Sequence, residues 1–349
     1  MLKLDRRTLL RAGSAAVGAA ALAPTVPALA RAPRTVNRAQ PSFYRFKLGT
    51  IEITVISDGM LEFPAETLFG DRAEDARGLL TSAFQPSSPV GLQLNTILVN
   101  TGGKLVLIDA GGGVDGKFQK TAGALPANLA AAGYDPGDID MILITHGHSD
   151  HLWGISDHEN AQLLFPSAEF VASETEVKFW NAPELTAKVS PALKPEVTRA
   201  NLKLARPRLR LIKAGTEMAP GVTNIDTAGH TPGHMSVHLS SGSEQLLLTA
   251  DAVVSSTVSF RYPEWPFGFD QDVPLAMKTR MASSTAQPPT RRWSAVTISP
   301  SPALGTWCAR DAATAGCRQI GSGRADDHAG RGGCAAPPAF STLHEKKET

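Results

Sequence analysis

Alternating and continuous runs of apolar residues mark strands along much of the chain. Phe43–Leu48 and Ile51–Ser57 flank Gly49 and predict one strand pair, while Asn95–Asn100 and Lys104–Ile108 predict a second hairpin. Shorter apolar runs predict further strands at Asp140–Ile144, Ala168–Ala172, Leu209–Lys213 and Gln245–Leu248. The chain therefore contains strands on both sides of its midpoint.

Helical segments lie between these strands. Leu125–Ala132 has a helical composition, with Pro126 in the first turn and Gly133 ending the run. Glu174–Trp180 predicts the start of a helix, and Pro183–Leu204 predicts a helical excursion. Strands interspersed with helices indicate a mixed chain of the α/β (α+β) type.

The composition is that of an ordinary globular protein, with 349 residues, 42% of them hydrophobic and 19% charged. Such a chain can bury the core of one large domain or of two small ones. A formal net charge of +1 gives no electrostatic case for a nucleic-acid partner. Apart from the N-terminus, no apolar run is long enough to act as a stable membrane anchor. All 3 cysteines lie near the C-terminus, so the body of the chain is not a disulfide scaffold.

The N-terminal residues 1–30 look like a twin-arginine signal peptide. Arg6-Arg7 precedes a mild apolar stretch from Ala12 to Ala23, and Ala28-Leu29-Ala30 is a small-x-small cleavage site. The alternative is a helix that belongs to the fold, but Pro24 and Pro27 would break it. We therefore expect export to the periplasm and cleavage after residue 30.

The densest chemistry of the chain follows the aliphatic run Met141–Ile144. His146, His148, Asp150 and His151 fall within six residues, although the chain has only 9 histidines. Imidazole and carboxylate groups without cysteine suit zinc, iron, cobalt or manganese. The alternative is a polar surface loop with coincidental histidines, and the clustering argues against it. A strand end is also where open α/β sheets place their active sites.

These residues resemble the H-x-H-x-D-H signature of the metallo-β-lactamase superfamily. The resemblance implies an αββα four-layer sandwich with a metal site that hydrolyses esters, lactones, amides or phosphoesters. Gly229–His234 resembles the second metal motif of the family, in which the first histidine, here His230, is the ligand. Asp251 follows an apolar strand at the position where the family has an aspartate between two metals. Chance is the alternative for Asp251, but a buried aspartate without a partner is costly.

The resemblance implies a metal-dependent, di-zinc type hydrolase in which a metal-bound hydroxide attacks an ester, lactone or phosphotriester. Intact members hold two Zn²⁺ ions per chain, and this chain could hold one. The implied ligands are His146, His148 and His230 for the first ion, Asp150 and His151 for the second, and Asp251 between them. Asp150 and Asp251 are also the predicted catalytic carboxylates.

Four further features accompany these motifs. The family often carries an aspartate at Asp109 that braces the metal loop, and the alternative is a simple turn cap. His234 and His238 match no ligand position, so we expect a hydrogen bond within the turn for the first and a strand position for the second. The aromatic segment Phe260–Asp270 is either a packing loop or a wall of the substrate pocket.

The combined features look most like the periplasmic branch of the superfamily that contains methyl parathion hydrolase, with the quorum-quenching lactonases as cousins. We assign residues 31–280 to the hydrolase domain. The expected partner is a small-molecule ester, lactone or phosphotriester. The sequence leaves open whether the chain forms a homodimer.

Residues 281–349 do not fit this family. They form a low-complexity tail without the period of a helix or strand, and the last strand region of the sandwich is expected to be missing. The codons that encode Thr297–Trp307 can be read one nucleotide earlier as Tyr-His-Phe-Pro-Phe-Pro-Gly-Leu-Gly-His-Val, a segment the family should have. We infer a frameshift near Met281, which leaves Thr306 where the last metal-binding histidine belongs. His328 and His344 could replace it only by accident.

Two classes of function follow. The first is a metal-dependent hydrolase, with phosphotriesterase or arylesterase, lactonase and glyoxalase II-type thioesterase activities as alternatives. The thioesterase is the least favoured, because the chain shows no basic C-terminal helix for glutathione. The second is a catalytically weakened or inactive metal-binding relative that lacks the last histidine ligand.

Overall fold

The computed structural model describes residues 42–295, apart from 115, 117, 158, 185–188 and 286–291. The predicted signal peptide, Thr297–Trp307, Thr306, His328 and His344 all lie outside these residues. Among the residues that are described, no helix combines the length and the hydropathy needed to cross a bilayer.

A sheet of seven strands forms one half of the fold. The first five strands are β1 (Phe43–Leu48), β2 (Ile51–Phe63), β3 (Val90–Asn100), β4 (Leu105–Ile108) and β5 (Met141–Ile144). The strands β6 (Ser156–Asp157) and β7 (Gln162–Leu163) come next in the chain and form a separate small hairpin. The last two strands of the seven-stranded sheet are β8 (Glu169–Ser173) and β9 (Leu209–Ile212). The strand order is β1-β2-β3-β4-β5-β8-β9. Strands β1 to β4 pair antiparallel, whereas β4, β5, β8 and β9 pair parallel. The carboxyl ends of the parallel strands therefore meet at one edge of the sheet.

A second sheet contains five strands in sequence order. These are β10 (Glu217–Ala219), β11 (Val222–Asp226), β12 (Met235–Ser241), β13 (Glu244–Leu248) and β14 (Arg292–Ala295). The first four pair antiparallel, and β14 pairs parallel to β13. The loop between β11 and β12 carries His230, and the turn after β13 carries Asp251.

The helices are short, and most lie between the strands of the first sheet. They are α1 (Ala65–Phe69), α2 (Ala73–Ser82), α3 (Leu125–Ala131), α4 (Ser149–Leu152), α5 (Glu174–Trp180), α6 (Pro195–Ala205) and α7 (Val273–Thr285). Proline stands in the first turn of α3 and α6, where its missing N–H has no partner to lose. The two helices of residues 65–82 were not predicted from the sequence.

The position of β5 in the core explains why its sequence is purely aliphatic. Met141 and Leu143 pack into the cluster between the two sheets, together with residues of β12 and β13. Ile142 and Ile144 pack on the opposite face, against helical residues that include Leu129. Each fully buried aliphatic side chain of this kind stabilises the fold by about 1.5–3 kcal/mol. A strand with two buried faces requires a continuous apolar run. The polar residues that follow β5 lie at the edge of the sheet, because the strand ends there.

The last described part of the chain is a helix followed by a strand. Helix α7 continues through Thr285, across the boundary expected after residue 280, and β14 adds a further strand to the second sheet. The end of the hydrolase domain at residue 280 stays a prediction. The helix is anchored by Ala276 and Arg280, which are buried, so the small polar residues after Met281 extend a helix that starts before them.

Candidate metal centre

Four loops meet at the site, and each one follows a strand. Asp109 comes directly after β4, and the loop that carries His146 comes after β5. The second sheet contributes the loop that carries His230 and the 3-10 turn Ala250–Ala252 that carries Asp251. All six predicted ligand side chains are buried at this junction between the two sheets.

Four of the six side chains converge as a first group, formed by His146, His148, His230 and Asp251. One ligand atom from each lies within 4.8 Å of all the others. His148 Nδ1 is 3.0 Å from His146 Nε2 and 3.0 Å from His230 Nε2. Asp251 Oδ2 is 3.4 Å from His230 Nε2 and 4.0 Å from His146 Nε2. Nitrogen ligands about 2.1 Å from a tetrahedral zinc ion are about 3.4 Å apart, so this arrangement fits one zinc ion.

Asp150 and His151 lie beside Asp251 as a second group. His151 Nε2 is 3.4 Å from Asp150 Oδ2 and 3.4 Å from Asp251 Oδ1. Because Oδ2 of Asp251 faces the first group and Oδ1 faces the second, one carboxylate spans both. Among the described residues, the second group has three side chains and the first has four.

The donor set passes a test of fit to a metal. His151 Nε2 and Asp251 Oδ1 are buried and have no hydrogen-bond partner within the described part of the chain, as is also true of His148 Nε2. A buried polar atom without a partner costs about 1–3 kcal/mol. The first two atoms point at one another across 3.4 Å, where a cation would satisfy both.

Asp109 braces the loop that carries the histidines. Its carboxylate accepts hydrogen bonds from the backbone N–H and the hydroxyl of Thr145, both at 2.8 Å, and contacts His151 Nδ1 at 2.8 Å. The Thr145 hydroxyl also lies 3.1 Å from His146 Nδ1. A carboxylate that holds Nδ1 of His151 leaves Nε2 free for a metal.

His230 is held by a residue that the sequence did not single out. Its Nδ1 lies 2.9 Å from Asp270 Oδ1, and the other oxygen of Asp270 accepts a hydrogen bond from Arg280 at 2.8 Å. Burial alone would lower the pKa of His230, but the hydrogen bonds to Asp251 and Asp270 raise it to about 9 in the metal-free chain. In the sequence, Asp270 stands out only as the last residue of the aromatic segment.

The pKa values of the other histidines diverge. Burial, followed by the neighbouring imidazoles, lowers the pKa of His146 and His148 well below the ordinary value, so both are neutral and offer lone pairs. Burial opposes the charge on His151 too, yet Asp251, Asp150 and Asp109 raise its pKa well above the ordinary value. His151 thus carries a positive charge that faces the carboxylates of Asp150 and Asp251.

Glu176 on α5 is a second residue that the sequence did not reveal. Its fully buried carboxylate accepts hydrogen bonds from Gly147 N–H and from Trp180 Nε1–H. It also accepts from the hydroxyl of Thr231 and from Gly233 N–H. Burial raises its pKa although all four donors oppose the shift. A glutamate in the first turn of a helix gives no sequence signal for this role.

His234 and His238 lie where the sequence suggested. His234 Nδ1 is 2.8 Å from the Thr227 hydroxyl, within the same loop. Its Nε2 accepts the backbone N–H of Asp251 at 3.1 Å, a contact that fixes the turn of the bridging carboxylate. Burial, and then the charge of His230, lower its pKa to about 3, which keeps this acceptor neutral. His238 lies on β12 and contacts Gln245.

Asp58, at the register shift in the middle of β2, is a buried carboxylate close to the second group. It accepts hydrogen bonds from Gly112 N–H at 2.9 Å and from Leu125 N–H at 2.7 Å. Burial raises its pKa to about 6, the charge of Asp150 adds to this rise, and the backbone donors oppose it. Asp58 thus joins the loop after β4 to the start of α3.

The aromatic segment Phe260–Asp270 contains both packing and partly exposed residues. Phe267 is buried, and its ring centroid lies 6.1 Å from that of His230. Tyr262 and Trp265 are stacked at 4.3 Å and remain half-buried. The segment packs beside the first group and leaves some aromatic surface accessible.

A family model described as the metallo-beta-lactamase superfamily matches residues 89–286, which is more than half of the chain. The chain belongs to the metallo-beta-lactamase superfamily. The matched range contains both histidine motifs and Asp251, and the two facing sheets are the core of the superfamily fold.

Relatives within the superfamily include lactonases. The chain is 32% identical over 158 residues to an N-acyl homoserine lactonase of a Bacillus species, covering 44% of this chain and 54% of the relative. It is 30% identical over 155 residues to the N-acyl homoserine lactonase of Bacillus cereus, with the same coverage. The chain thus spans about half the length of the curated relatives it matches.

Solved structures of the superfamily cover more of the chain. The hydrolase AbOPH superposes with a TM-score of 0.69 at 29% identity, over 78% of this chain and 96% of that one. AidC, described as a dizinc quorum-quenching lactonase, superposes with a TM-score of 0.66 at 28% identity, over 75% of this chain and 92% of that one. The chain therefore shares its fold with these hydrolases, and its buried cluster of histidines and Asp251 offers the donor atoms of a metal site.

Proposed function

We propose that the chain is a zinc-dependent hydrolase that opens lactones and cleaves related esters. The observation that carries this proposal is the convergence of His146, His148, His230 and Asp251 within 4.8 Å in a buried site. Two of these imidazoles are neutral, and each carries a lone pair that zinc can use. Zinc bound there supplies Lewis acidity and lowers the pKa of a water molecule to about 7.

The lactone class is supported by the relatives. Two of them are N-acyl homoserine lactonases at 30–32% identity, and AidC is described as a quorum-quenching lactonase. Arylesters and phosphotriesters stay within the proposed range, because the same donor set stabilises negative charge on a carbonyl or a phosphoryl oxygen.

The side chains of the second group have proton-handling roles in this proposal. Asp150 Oδ2 lies 3.4 Å from His151 Nε2 within the second group. We propose that Asp150 accepts a proton from the attacking water and then donates this proton to the leaving alkoxide. Asp251 holds the two groups in register, since each of its oxygens faces one of them.

A substrate panel tests the proposal. The zinc-loaded chain is assayed with N-hexanoyl homoserine lactone, a phenyl ester and an aryl phosphotriester, each with and without a chelator. Chelator-sensitive turnover of the lactone supports the proposal. Turnover of the phosphotriester alone would move the assignment to that class, and a panel without any chelator-sensitive turnover would contradict the proposal.

A weakened relative is the second candidate. The second group has only Asp150, His151 and Asp251 among the described residues, and Thr306 is where we expect a histidine in the intact family. Such a chain would bind its first ion more tightly than its second and would turn substrates over slowly.

We further propose export through residues 1–30. The support is Arg6-Arg7 and the Ala28-Leu29-Ala30 cleavage site. N-terminal sequencing of protein from a periplasmic fraction should begin at Arg31. Soluble cytoplasmic protein that retains Met1 as the main form would contradict this proposal.

A further inference from the structure

A buried arginine lies behind the candidate metal centre. Arg280 on α7 has 1% of its surface exposed, and its guanidinium donates in three directions. Its Nε–H donates to the carbonyl of Ala252 at 3.0 Å and its Nη1 to the carbonyl of Trp265 at 2.8 Å. Its Nη2 donates to Asp270 Oδ2 at 2.8 Å.

Each of these acceptors belongs to a different part of the site. Ala252 follows Asp251 in the same 3-10 turn. Asp270 contacts Nδ1 of His230 through its second oxygen at 2.9 Å. Trp265 belongs to the aromatic segment, which packs against His230 through Phe267. One guanidinium therefore contacts three parts of the site. These are the turn that carries Asp251, the Asp270 carboxylate that contacts His230, and the aromatic segment.

The chemistry of this position favours arginine over other cations. A guanidinium has five N–H donors in a planar fork, so it can serve three acceptors at fixed angles, whereas an ammonium is a point charge on a flexible stem. A charge buried to this degree is retained only when it is paired and hydrogen-bonded. Asp270 supplies the opposite charge, and the two carbonyls supply the remaining contacts.

We propose that Arg280 is a positioning residue that couples His230, the Asp251 turn and the Phe260–Asp270 segment, and thereby sets the zinc affinity of the first group. The proposal rests on the proposed function, because it assumes that the first group binds zinc. Partners of metal ligands of this kind contribute about 10–100-fold to metal affinity or activity. Arg280 acts one contact further out, through Asp270 and through Ala252.

Zinc competition titrations on the purified full chain test the proposal. R280K keeps the positive charge but cannot make the three hydrogen bonds to Ala252, Trp265 and Asp270 at once. We expect this variant to bind the first zinc about 10–100-fold more weakly than the wild type. R45K is the matched control, because Arg45 also donates to a backbone carbonyl, that of Ala132, and contacts none of the six ligands. We expect R45K to stay within about twofold of the wild type, since changes at positions without contact to a site leave it almost unaffected.

A double-variant cycle separates coupling from general destabilisation. If Arg280 acts through Asp270, the loss of zinc affinity in R280K/D270N is smaller than the product of the two single losses. R280K/R45K should instead show independent effects. A folded R280K that binds zinc like the wild type, or independent losses in R280K/D270N, would overturn the proposal.

A measurement on the wild type covers the case in which R280K does not fold. Hydrogen exchange of the Arg280 Nε–H, followed by NMR, should slow at least severalfold when zinc is added, because zinc fixes the Asp251 turn that carries its acceptor. An unchanged exchange rate in zinc-bound protein would overturn the proposal. A wild-type chain that binds no zinc would contradict the proposed function instead, so the two failures are distinguishable.

Discussion

Glu176 and Gly147 are joined by a hydrogen bond of 2.7 Å, in which a buried carboxylate oxygen accepts the backbone N–H between two metal-site histidines. The other oxygen of Glu176 accepts from Thr231 and Gly233 at 2.8 and 2.9 Å. The loop that carries His146 and His148 and the loop that carries His230 are therefore tied to the same side chain. We therefore expect the distances among these histidines to depend on Glu176.

The first prediction concerns the hydrogen bonds by which Glu176 connects the two histidine loops. In E176Q, an amide NH₂ faces N–H donors that now lack an acceptor, and each buried donor left unpaired costs about 1–3 kcal/mol. We expect unfolding free energy to fall by about 2–4 kcal/mol and zinc affinity to fall with it. Denaturant unfolding and zinc titration measure both quantities. E174Q, an exposed change on the same helix, is the control, and equal effects in the two variants would contradict the role of Glu176.

The second prediction concerns the space around Gly147. A Cβ atom added there would lie 2.1 Å from Trp180 Nε1, so the indole must move and lose its hydrogen bond to Glu176. We expect G147A to change tryptophan fluorescence and to weaken zinc binding at least tenfold, as loss of such support does in other metal sites. G78A, where a Cβ meets nothing within 4 Å, is the control and should be stabilised by up to about 1 kcal/mol. Normal zinc binding by G147A would show that the loop tolerates the displacement.

The third prediction concerns pH. The pKa of Asp58 is about 6 in the folded chain against 3.8 ordinarily, because the carboxyl is buried. Between about pH 4 and 6 the folded chain therefore holds a proton that the unfolded chain has lost, so this group's contribution to stability falls as pH rises through that window. D58N cannot titrate, and its deficit relative to the wild type should shrink by about 3 kcal/mol across the window.

Denaturant unfolding of the metal-free chain at pH 4 to 7 measures this change. D71N, at an exposed position, is the control and should show a constant difference from the wild type. A deficit of D58N that does not change with pH would show that the carboxyl is not shifted.

The fourth prediction concerns the C-terminal region. If the gene is read one nucleotide earlier across Thr297–Trp307, the chain regains a histidine at the position of Thr306. We expect the chain as given to bind one zinc tightly and a second weakly, and the frame-restored chain to bind two and to turn over faster. Elemental analysis and turnover of the two versions side by side measure this. Equal zinc content and equal turnover would contradict the importance of the missing histidine.

Many of the strands and both histidine motifs were predictable from the sequence, because they are encoded locally. The aliphatic run of β5 has two buried faces, and His146 to His151 lie within six residues directly after it. Asp251 was recognisable because a carboxylate directly after an apolar strand needs a partner. Each of these inferences uses only neighbouring residues.

The supports of the site were not predictable, because their partners are distant along the chain. Glu176 is 29 residues from Gly147 and 55 from Thr231, and Asp270 is 40 residues from His230. Glu176 resembles an ordinary acidic residue in a first helical turn, and Arg280 an ordinary helical arginine. Only the packing of the two sheets shows that these side chains are buried and paired. Helix α7 was not predicted from the sequence, since its buried anchors Ala276 and Arg280 lie among weakly patterned residues.

The rate of lactone opening during a zinc titration tests the central claim most directly. Metal-free chain receives zinc in steps while hydrolysis of N-hexanoyl homoserine lactone is followed by proton release, with H146A treated in parallel. The account predicts that the wild-type rate rises from background as zinc is added and then levels off, while H146A stays at background. A wild-type rate that stays at background, or an equal rise in H146A, would contradict a zinc-dependent hydrolase built on this site.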